Sequence, residues 1–527
     1  MQSTTPVQPP ACSRTDPGAC WDWIMPVFPR ETIAVIDVGS NSVRLLVARA
    51  LSPTAFEVID EARYDARLGA GQAGGNLTPE GMERGLRALT IMTQLAESYG
   101  PARLVAVGTE ALRRAPNADE FLERVRERTG MRIRVLSGFE EAHAGYLGVI
   151  NSTALPAGYL LDLGGGSLEL MTIAGRQLRE VQSVPLGAIY SRENYLHADP
   201  PTRREIRTLR KAVRRSFVPV AGAPPVLFGT GGAVRNLARI VRIRRRYPLG
   251  RLHGLEITRK EVARLSRELS SVPTEVRRRI PGVGANRADL LHAAAIVIDE
   301  VMDILSAETL TVSGQGLREG LAWQAIRGES PVLPDVRAAS IAGLALANGV
   351  DVISAEPTVH AAAALFDATR TLHGLPEADR SLLLDAARLA GIGMHIDYYN
   401  RDRHAEYLVH SGDLHGYSHR EVVLLAALVR WADSGTPDLS PYRAIIQPDD
   451  TRRAAVLASL LGLARAIRRR TPSPIHDVRV VLEANALRLQ LIAAAPIDAE
   501  LYELENRRRR FESVTHCPLV VEHVPES

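Results

Sequence analysis

Residues 160–170 constrain the fold of this chain more than any other stretch. An apolar run ends there in Asp162, three glycines and Ser167, and a second apolar run that contains Glu169 follows. Short apolar runs on both sides of a glycine cluster predict a β-hairpin with a glycine-rich tip. Consecutive glycines let backbone N–H groups point toward one anion and let a bulky anion approach the main chain. We interpret the segment as an anion site in which Asp162 holds a divalent cation or a water; taken alone, an ordinary glycine-rich turn explains it equally well.

The same pattern occurs in residues 32–47. An apolar run ends in Asp37, a tip of small residues follows, and a second apolar run leaves the tip. The tip residues are Gly39, Ser40, Asn41 and Ser42. Two hairpins that each offer a carboxylate and a phosphate-sized nest fit one polyphosphate held between two similar halves of a fold. The repetition therefore favours a ligand site over a simple turn.

The composition indicates a soluble globular protein of three or four domains. The chain has 527 residues, of which 46% are hydrophobic and 24% are charged, and this length accommodates several cores. Its net charge is only +4, and its basic residues are nearly all arginines, because Lys211 and Lys260 are the only lysines. Acidic residues are interspersed among the arginine clusters, so we interpret the clusters as solvated helix faces and predict no specific nucleic-acid partner.

Residues 1–30 predict a disordered leader. They contain six prolines and lack the basic start and apolar core of a secretory signal. The cysteines Cys12, Cys20 and Cys517 are too scattered for a disulfide framework or a cysteine-based zinc site. No uninterrupted apolar run reaches the length of a membrane span. We therefore expect a cytoplasmic protein without a membrane partner.

Three further segments carry residues suited to phosphate chemistry. Arg113 follows the apolar run 104–107, where a guanidinium could bind two phosphate oxygens or simply face solvent. Glu140 and Glu141 begin a predicted helix, where capping explains one carboxylate and leaves the other free to take a proton from an attacking water. A third glycine-rich turn at 229–232 offers helix N–H groups to a phosphate or a nucleoside.

Taken together, the motifs resemble those of the exopolyphosphatase and guanosine pentaphosphate phosphatase family. That family shares the fold of actin, the sugar kinases and the heat-shock ATPases. The resemblance spans residues 31–327 and extends more loosely over the helical region beyond. The matching segments, in the family's order, are 37–42, 108–113, 137–142, 162–169, 229–232 and 317–320.

The resemblance implies an α/β fold with two actin-like, ribonuclease H-like lobes, at residues 31–155 and 156–327. The helix that closes the second lobe would pack back on the first. After a proline-containing linker, an all-α HD-like domain is expected at 328–440 and a small C-terminal α+β module at 441–527. An Ala/Leu-rich helical pattern and the alternating residues near 480 agree with these last two expectations.

The resemblance also implies roles for individual residues. Glu141 would be the general base that deprotonates the attacking water, and Arg113 would neutralise charge near the terminal phosphoryl group. Mg²⁺ would be organised by Asp162 and Glu169, with Asp37 acting from the facing hairpin. The phosphate oxygens would be bound by Ser40, Asn41, Ser42, Gly164, Gly165, Gly166, Ser167, Gly231 and Gly232. The motif match favours Glu141 over Glu140, although the residues themselves do not separate the two.

The helical region departs from the HD pattern at its metal site. Ala390 and Gly391 stand where that fold has its His-Asp pair, so we predict no HD-type metal there. Five nearby histidines have spacings that fit no standard metal site: His395, His404, His410, His415 and His419. We interpret the region as a wall of the substrate cleft or as a dimer contact.

The motifs leave four functions open. The leading expectation is hydrolysis of the terminal phosphate of inorganic polyphosphate by a homodimer, and the alternative substrate is guanosine pentaphosphate. The arginine-rich surface and the long C-terminal extension favour polyphosphate. An ATP-dependent kinase of the same fold would need an aspartate base in an acceptor pocket, which the loop with Glu140 and Glu141 does not resemble. A sensor that binds polyphosphate or a guanosine alarmone without turnover would not need the base, metal ligands and arginine that the sequence retains.

Overall fold

The computed structural model describes residues 30–70, 75–350, 352–470, 472–483 and 486–525. Apart from Arg30, the leader predicted at 1–30 lies outside the described residues, and so do Cys12 and Cys20. Among the helices within these ranges, none combines the length and the apolar character needed to cross a membrane.

The first lobe is built on a five-stranded sheet. Its elements are β1 (Thr32–Val38), β2 (Val43–Ser52), β3 (Ala55–Tyr64), α1 (Pro79–Ser98), β4 (Arg103–Gly108), α2 (Glu110–Arg114), α3 (Ala118–Thr129), β5 (Arg134–Val135) and α4 (Gly138–Ile150). The strand order is β3-β2-β1-β4-β5, in which β1, β4 and β5 are parallel and the other pairs are antiparallel. The central strand β1 is almost entirely apolar because both faces of the sheet are covered.

The second lobe repeats this plan with a six-stranded sheet. Its elements are β6 (Ala157–Leu163), β7 (Leu168–Ala174), β8 (Gln177–Val184), α5 (Ala188–Tyr195), α6 (Arg203–Ser216), β9 (Leu227–Thr230), α7 (Gly232–Arg244), β10 (Glu256–Thr258), α8 (Arg259–Ser271), α9 (Thr274–Arg277), α10 (Leu291–Ile304) and β11 (Thr309–Val312). The strand order is β10-β11-β9-β6-β7-β8. Strands β6, β7, β8, β9 and β11 correspond in order and direction to β1 through β5, which confirms the two similar halves predicted from the repeated hairpin.

Helix α11 (Leu317–Arg327) follows the second lobe in sequence but packs on the first. Its residues Leu321 and Ile326 share a buried apolar cluster with strands β1 and β2. The helix also crosses α4 at close range, because a Cβ on Gly320 would overlap the Ala144 carbonyl oxygen and lie 2.7 Å from the carbonyl carbon. Although α4 belongs to the first lobe in sequence, its residues Tyr146 and Leu147 share a buried cluster with Leu160 of the second sheet, so this crossing connects the two lobes.

Replacing Gly320 by alanine is expected to destabilise the protein by about 3 kcal/mol, because the new methyl group would collide with backbone atoms rather than with a movable side chain. Thermal unfolding measures the loss. Gly391→Ala is the matched control, since a Cβ at Gly391 would meet only a methyl group of Val350, at 3.8 Å. Equal unfolding temperatures for the two variants would show that α4 and α11 do not cross as described.

The chain beyond the lobes forms a helical region and a three-stranded sheet. The elements are α12 (Val336–Ala347), α13 (Val352–Ala368), α14 (Arg370–His373), α15 (Glu377–Leu389), α16 (Arg401–Ser411), α17 (His419–Trp431), α18 (Asp450–Ile467), β12 (Ile475–Leu482), β13 (Leu487–Ala493), α19 (Asp498–Thr515) and β14 (Leu519–Pro525). One buried apolar cluster runs from Ile341 through Leu461 to Leu489. The helices and the C-terminal strands therefore share a single core.

Buried histidines join the helical region to the second lobe. His419 Nε2 donates to the His253 carbonyl oxygen, and His419 Nδ1 accepts from the Tyr247 hydroxyl, both at 2.9 Å. The ring of His415 lies edge-on to His253, and Arg251 donates to two main-chain carbonyls of the helical region at 3.2 Å. Within the described ranges, no three His, Cys, Asp or Glu side chains form a metal-binding group. Through the contacts with Tyr247 and His253, His415 and His419 dock the helical region on the second lobe.

Candidate functional site

The two glycine-rich hairpin tips meet in one cleft between the lobes. In each tip the N–H of the first residue donates to the carbonyl oxygen of the fourth, at 3.1 Å. Residues 39–42 and 164–167 line the cleft together with Asp37 and Asp162. The tips are so close that a Cβ on Gly165 would lie 3.2 Å from the Ser40 side chain. The structure thus brings both predicted hairpins into one site.

The second tip is held from behind by the start of α5. The carbonyl oxygens of Gly164, Gly165 and Gly166 accept from the N–H groups of residues 187–189 at 2.8 to 3.0 Å. Gly187 permits this approach, because a Cβ there would lie 2.5 Å from the backbone of the tip. A carbonyl and the next N–H point in opposite directions across a planar trans peptide. The N–H groups that follow these carbonyls therefore face the cleft.

The first tip is held in the same way by residues 67–69. The carbonyl oxygens of Ser40 and Asn41 accept from the N–H groups of Gly69 and Arg67, both at 2.9 Å. The Asn41 side chain is buried, and neither its amide nitrogen nor its oxygen has a hydrogen-bond partner among the described residues. Buried polar groups without partners are rare in native proteins. The arrangement therefore fits a ligand that carries oxygen acceptors.

Asp37 and Asp162 are partly buried carboxylates in this cleft. Burial raises the pKa of Asp162 to about 6, and the nearby Arg235 opposes the rise. Burial likewise raises the pKa of Asp37, opposed by Arg44. Within the described part of the chain, neither carboxylate receives a hydrogen bond. Desolvated acids without donors suit a divalent cation, whose charge would favour their ionised forms.

Glu169 lies behind the cleft rather than in its lining. It stands opposite Asp162 in the β6–β7 pair, and its carboxylate accepts from the Ser183 hydroxyl at 3.1 Å. Burial, with the nearby carboxylates of Glu141 and Asp162, raises its pKa well above the usual range. Mg²⁺ usually takes only one or two protein carboxylates and completes its shell with waters and phosphate oxygens. Asp37 and Asp162 fit such an ion, whereas Glu169 fits a supporting position.

Glu141, in the first turn of α4, lines the same cleft. Arg113 Nη1 donates to Glu141 Oε2 at 2.8 Å, and Arg113 Nη2 donates to Glu110 Oε2 at 2.5 Å. Burial raises the pKa of Glu141 to about 7, while Arg113 opposes the rise and Asp162 adds to it. Such a carboxylate is suited to accept a proton near neutral pH.

Glu140 has a different environment from its neighbour. Its carboxylate accepts from the Ser137 N–H at 2.8 Å, and the Ser137 hydroxyl accepts from the Glu140 N–H at 3.2 Å. The same carboxylate pairs with Arg134 near the surface. The reciprocal bonds form a capping box. Glu140 therefore caps α4, and Glu141 faces the cleft.

Replacing Arg113 by methionine is expected to raise the pKa of Glu141 by about one pH unit, because the substitution removes the cation and hydrogen bond that favour the charged carboxylate. An NMR titration of ¹³C-labelled glutamate carboxyl groups measures the shift. Arg114→Met is the control, since Arg114 pairs with Glu110 at 3.5 Å and lies over the Tyr190 ring, away from Glu141, and should leave the Glu141 titration unchanged. A pKa that falls in Arg113→Met would contradict the described ion pair.

The arginines of the cleft differ from the sequence-based expectation. The Arg113 guanidinium is turned toward two glutamates, and Arg113 does not line the cleft. Arg44 was not predicted, although it stands directly across the first hairpin from Asp37, so the hairpin register could have indicated it. The arginines that line the cleft are Arg44, Arg235, Arg287 and Arg318. Arg318 lies within the matching segment 317–320 and Arg235 lies just after the turn 229–232, whereas Arg287 lies in no predicted motif.

The third glycine-rich turn completes the cleft beside the second tip. Gly231 has a left-handed φ of 95°, and a Cβ there would lie 2.6 Å from the Leu163 carbonyl oxygen. A Cβ on Gly232 would overlap the guanidinium of Arg287.

The helical region contributes no described residue to the cleft lining, because all of these residues lie between Asp37 and Glu319. This finding does not agree with the interpretation of the helical region as a cleft wall.

This chain matches two models of the same protein family. The Ppx/GppA phosphatase family matches residues 46–327, and domain III of Ppx/GppA phosphatases matches residues 336–505. A solved Ppx/GppA family member from Aquifex aeolicus is 31% identical over 55% of this chain and 96% of its own, with a TM-score of 0.48. A solved exopolyphosphatase from Cytophaga hutchinsonii is 23% identical over 56% of this chain and 98% of its own, with a TM-score of 0.54, and shares the fold.

Proposed function

Because the chain belongs to the Ppx/GppA phosphatase family, we propose that it hydrolyses the terminal phosphoanhydride bond of inorganic polyphosphate. The observation that carries the proposal is the position of Glu141, a partly buried carboxylate that lines the same cleft as both hairpin tips. Hydrolysis of this kind needs a base for water and a cradle for phosphate within one site. Residues of this chain offer both.

The proposed reaction transfers the terminal phosphoryl group to water. Glu141 takes a proton from a water molecule while the oxygen of that water bonds to the terminal phosphorus. The bridging P–O bond breaks, and its electron pair leaves with the shortened chain as inorganic phosphate is formed. Glu141 then returns its proton to solvent. Arg113, held between Glu110 and Glu141, keeps the Glu141 carboxylate oriented.

Charge stabilisation is the main requirement, because phosphoryl transfer passes through a loose transition state. Cleft-facing N–H groups of the two tips would hold phosphate oxygens, and Arg44 and Arg235 would supply positive charge beside them. A Mg²⁺ ion held by Asp37 and Asp162 would offset the charge of the phosphates. These two partly buried carboxylates receive no hydrogen bond from the described residues, which supports this placement.

A substrate panel tests the proposal. The purified protein is incubated with Mg²⁺ and, separately, with long-chain polyphosphate, guanosine pentaphosphate, or ATP plus sugars, and phosphate release is measured. We expect release from polyphosphate, with gel electrophoresis showing chains that shorten from their ends. Release from guanosine pentaphosphate alone would show that this nucleotide, and not polyphosphate, is the substrate. Transfer to a sugar would indicate a kinase, and binding of polyphosphate without release would indicate a sensor.

A further inference from the structure

Two neighbouring helices of the second lobe, α6 and α8, present a surface that is rich in positive charge. Both helices pack their apolar sides on α10. They lie beside each other, because Asp303 of α10 pairs with Arg214 of α6 and with Arg259 of α8. Farther along, Arg210 of α6 donates to the Ser266 hydroxyl of α8 at 3.4 Å. The two helices therefore run antiparallel, with their polar sides on one surface.

The exposed sides of these helices carry eight cations without an acidic partner. On α6, four of them recur every four residues from Arg203 to Arg215, so they share one side of the helix. All eight are exposed, and among the described residues none of them has a carboxylate within 4.0 Å. We call these residues the basic face: Arg203, Arg204, Arg207, Lys211 and Arg215 on α6, and Lys260, Arg264 and Arg267 on α8.

The acids of both helices do not neutralise the basic face, although they are interspersed with its cations in the sequence. The Glu205 carboxylate caps the start of α6 by accepting from the Thr202 N–H at 2.7 Å. Glu261 and Glu268 of α8 pair with arginines of α7. The acids of α10 are paired with arginines of α6 and α8 that lie outside the basic face, namely Arg210, Arg214 and Arg259. The like charges of the basic face therefore remain uncompensated, and a bound polyanion would offset them.

The composition of the surface narrows the class of partner. None of the exposed residues on α6 and α8 is aromatic or a large aliphatic residue. Protein interfaces are enriched in aromatic residues, helices at a membrane surface insert apolar side chains, and proteins that bind single strands stack bases on aromatic rings. The basic face offers none of these contacts. It offers charge alone, which is what the phosphate backbone of a nucleic acid requires.

The arrangement of the charges favours a two-stranded polyanion. The α6 cations span about 18 Å from Arg203 to Arg215, at a helical rise of about 1.5 Å per residue. This distance corresponds to about five base pairs of a duplex. The α8 cations form a second row on the adjacent helix. One linear chain of phosphates could follow one row, whereas a duplex presents two strands of phosphates to both rows.

We propose that the basic face binds the phosphate backbone of double-stranded nucleic acid without reading its sequence. None of its eight residues lines the cleft, so this binding is separate from the proposed hydrolysis and leaves the site of Glu141 open. The protein would act on phosphoanhydrides while it is held on a nucleic acid.

The salt dependence of binding tests the proposal. The Kd for a short DNA duplex of mixed sequence is measured by fluorescence anisotropy between about 50 and 200 mM salt. For Arg207→Gln/Lys211→Gln we expect the slope of log affinity against log salt concentration to become shallower by about 1.8, since each phosphate contact contributes about 0.9. At about 0.1 M salt, the same two lost contacts should raise the Kd about 60-fold.

Arg87→Gln/Arg128→Gln is the matched control, because it gives the same net charge. It removes two exposed cations of the first lobe that have no acidic partner among the described residues. After thermal unfolding has shown that both variants are folded, the control should bind the duplex as the wild type does. A wild-type protein that does not bind the duplex at the lowest salt concentration, or equal slopes for the two variants, overturns the proposal.

Parallel measurements separate the duplex from other polyanions. The affinity of Arg207→Gln/Lys211→Gln is also measured for long-chain polyphosphate and for vesicles that contain phosphatidylserine, and it should stay close to that of the wild type. A loss of either affinity as large as the loss for the duplex would assign the basic face to that ligand and overturn the proposal. Neither residue lines the cleft, so phosphate release from polyphosphate should be unchanged. The duplex measurement needs no turnover and therefore holds even if the proposed hydrolysis fails.

Discussion

The Glu141→Gln variant is expected to release phosphate from polyphosphate about 10³ times more slowly than the wild-type protein, with its affinity for polyphosphate retained. Glutamine keeps the size of the side chain but cannot accept the proton of the attacking water, and a general base contributes a rate factor of this order. Initial rates of phosphate release at saturating polyphosphate measure kcat, and a binding isotherm measures the affinity.

Glu140→Gln is the matched control because it changes the adjacent residue in the same helix. Glutamine still completes the capping box with Ser137, so turnover should be retained. Normal turnover in Glu141→Gln would exclude Glu141 as the base.

Burial raises the pKa of Glu141 from 4.5 to about 7. The ionised carboxylate therefore destabilises the folded protein fully above pH 7 and not at all below pH 4.5. Glu141→Gln should therefore also raise the unfolding temperature at alkaline pH.

Replacing Asp162 by asparagine is expected to lower turnover by about 10³-fold, an effect comparable with the loss of a group that stabilises transition-state charge. Asp162 and Asp37 are partly buried carboxylates of the cleft that receive no hydrogen bond from the described residues, and an amide cannot replace the charge that would hold Mg²⁺. Phosphate release across a Mg²⁺ titration measures the loss. Asp119→Asn, at an exposed position on α3, is the control and should keep the wild-type Mg²⁺ response.

A measurement without turnover tests the same assignment. Burial raises the pKa of Asp162 from 3.8 to about 6. The ionised carboxylate therefore lowers the free energy of unfolding fully above pH 6 and not at all below pH 3.8. Asp162→Asn should therefore unfold at a higher temperature than the wild type above pH 6. Mg²⁺ should raise the unfolding temperature of the wild type but not that of the variant. A wild-type protein that does not respond to Mg²⁺ would contradict a metal held by Asp162.

The glycine-rich half of the cleft was predictable because its determinants are local. A strand that ends in aspartate and turns through small residues forms a hairpin from backbone geometry alone. The repetition of the pattern then indicated two equivalent lobes, whose sheets do have the same strand order and directions. Local patterns that occur twice thus predicted both a site and the symmetry of the fold around it.

The sequence itself distinguishes Glu140 from Glu141. Ser137 precedes Glu140 by three residues, and this Ser-x-x-Glu spacing is typical of a capping box. Assigning Glu140 to the cap leaves Glu141 as the acid that faces the cleft. The structure has both reciprocal bonds of that box.

The arginines could not be predicted in the same way. The direction of Arg113 depends on Glu110 and Glu141, two carboxylates that the fold brings to either side of it. Arg287 lines the cleft from a segment that contains none of the predicted motifs. Contacts between residues so far apart along the chain depend on tertiary packing and leave no spacing that a single sequence reveals.

Helix α11 has a consequence for how the protein is synthesised. The face of the first sheet that carries Ile33, Val35 and Leu46 is completed by α11, whose residues are translated only after the whole second lobe. On the ribosome, the newly made first lobe therefore presents apolar surface that its own segment covers only in part. Such surface promotes misassembly and is what chaperones shield. This surface needs protection until α11 has left the ribosome and can pack on it.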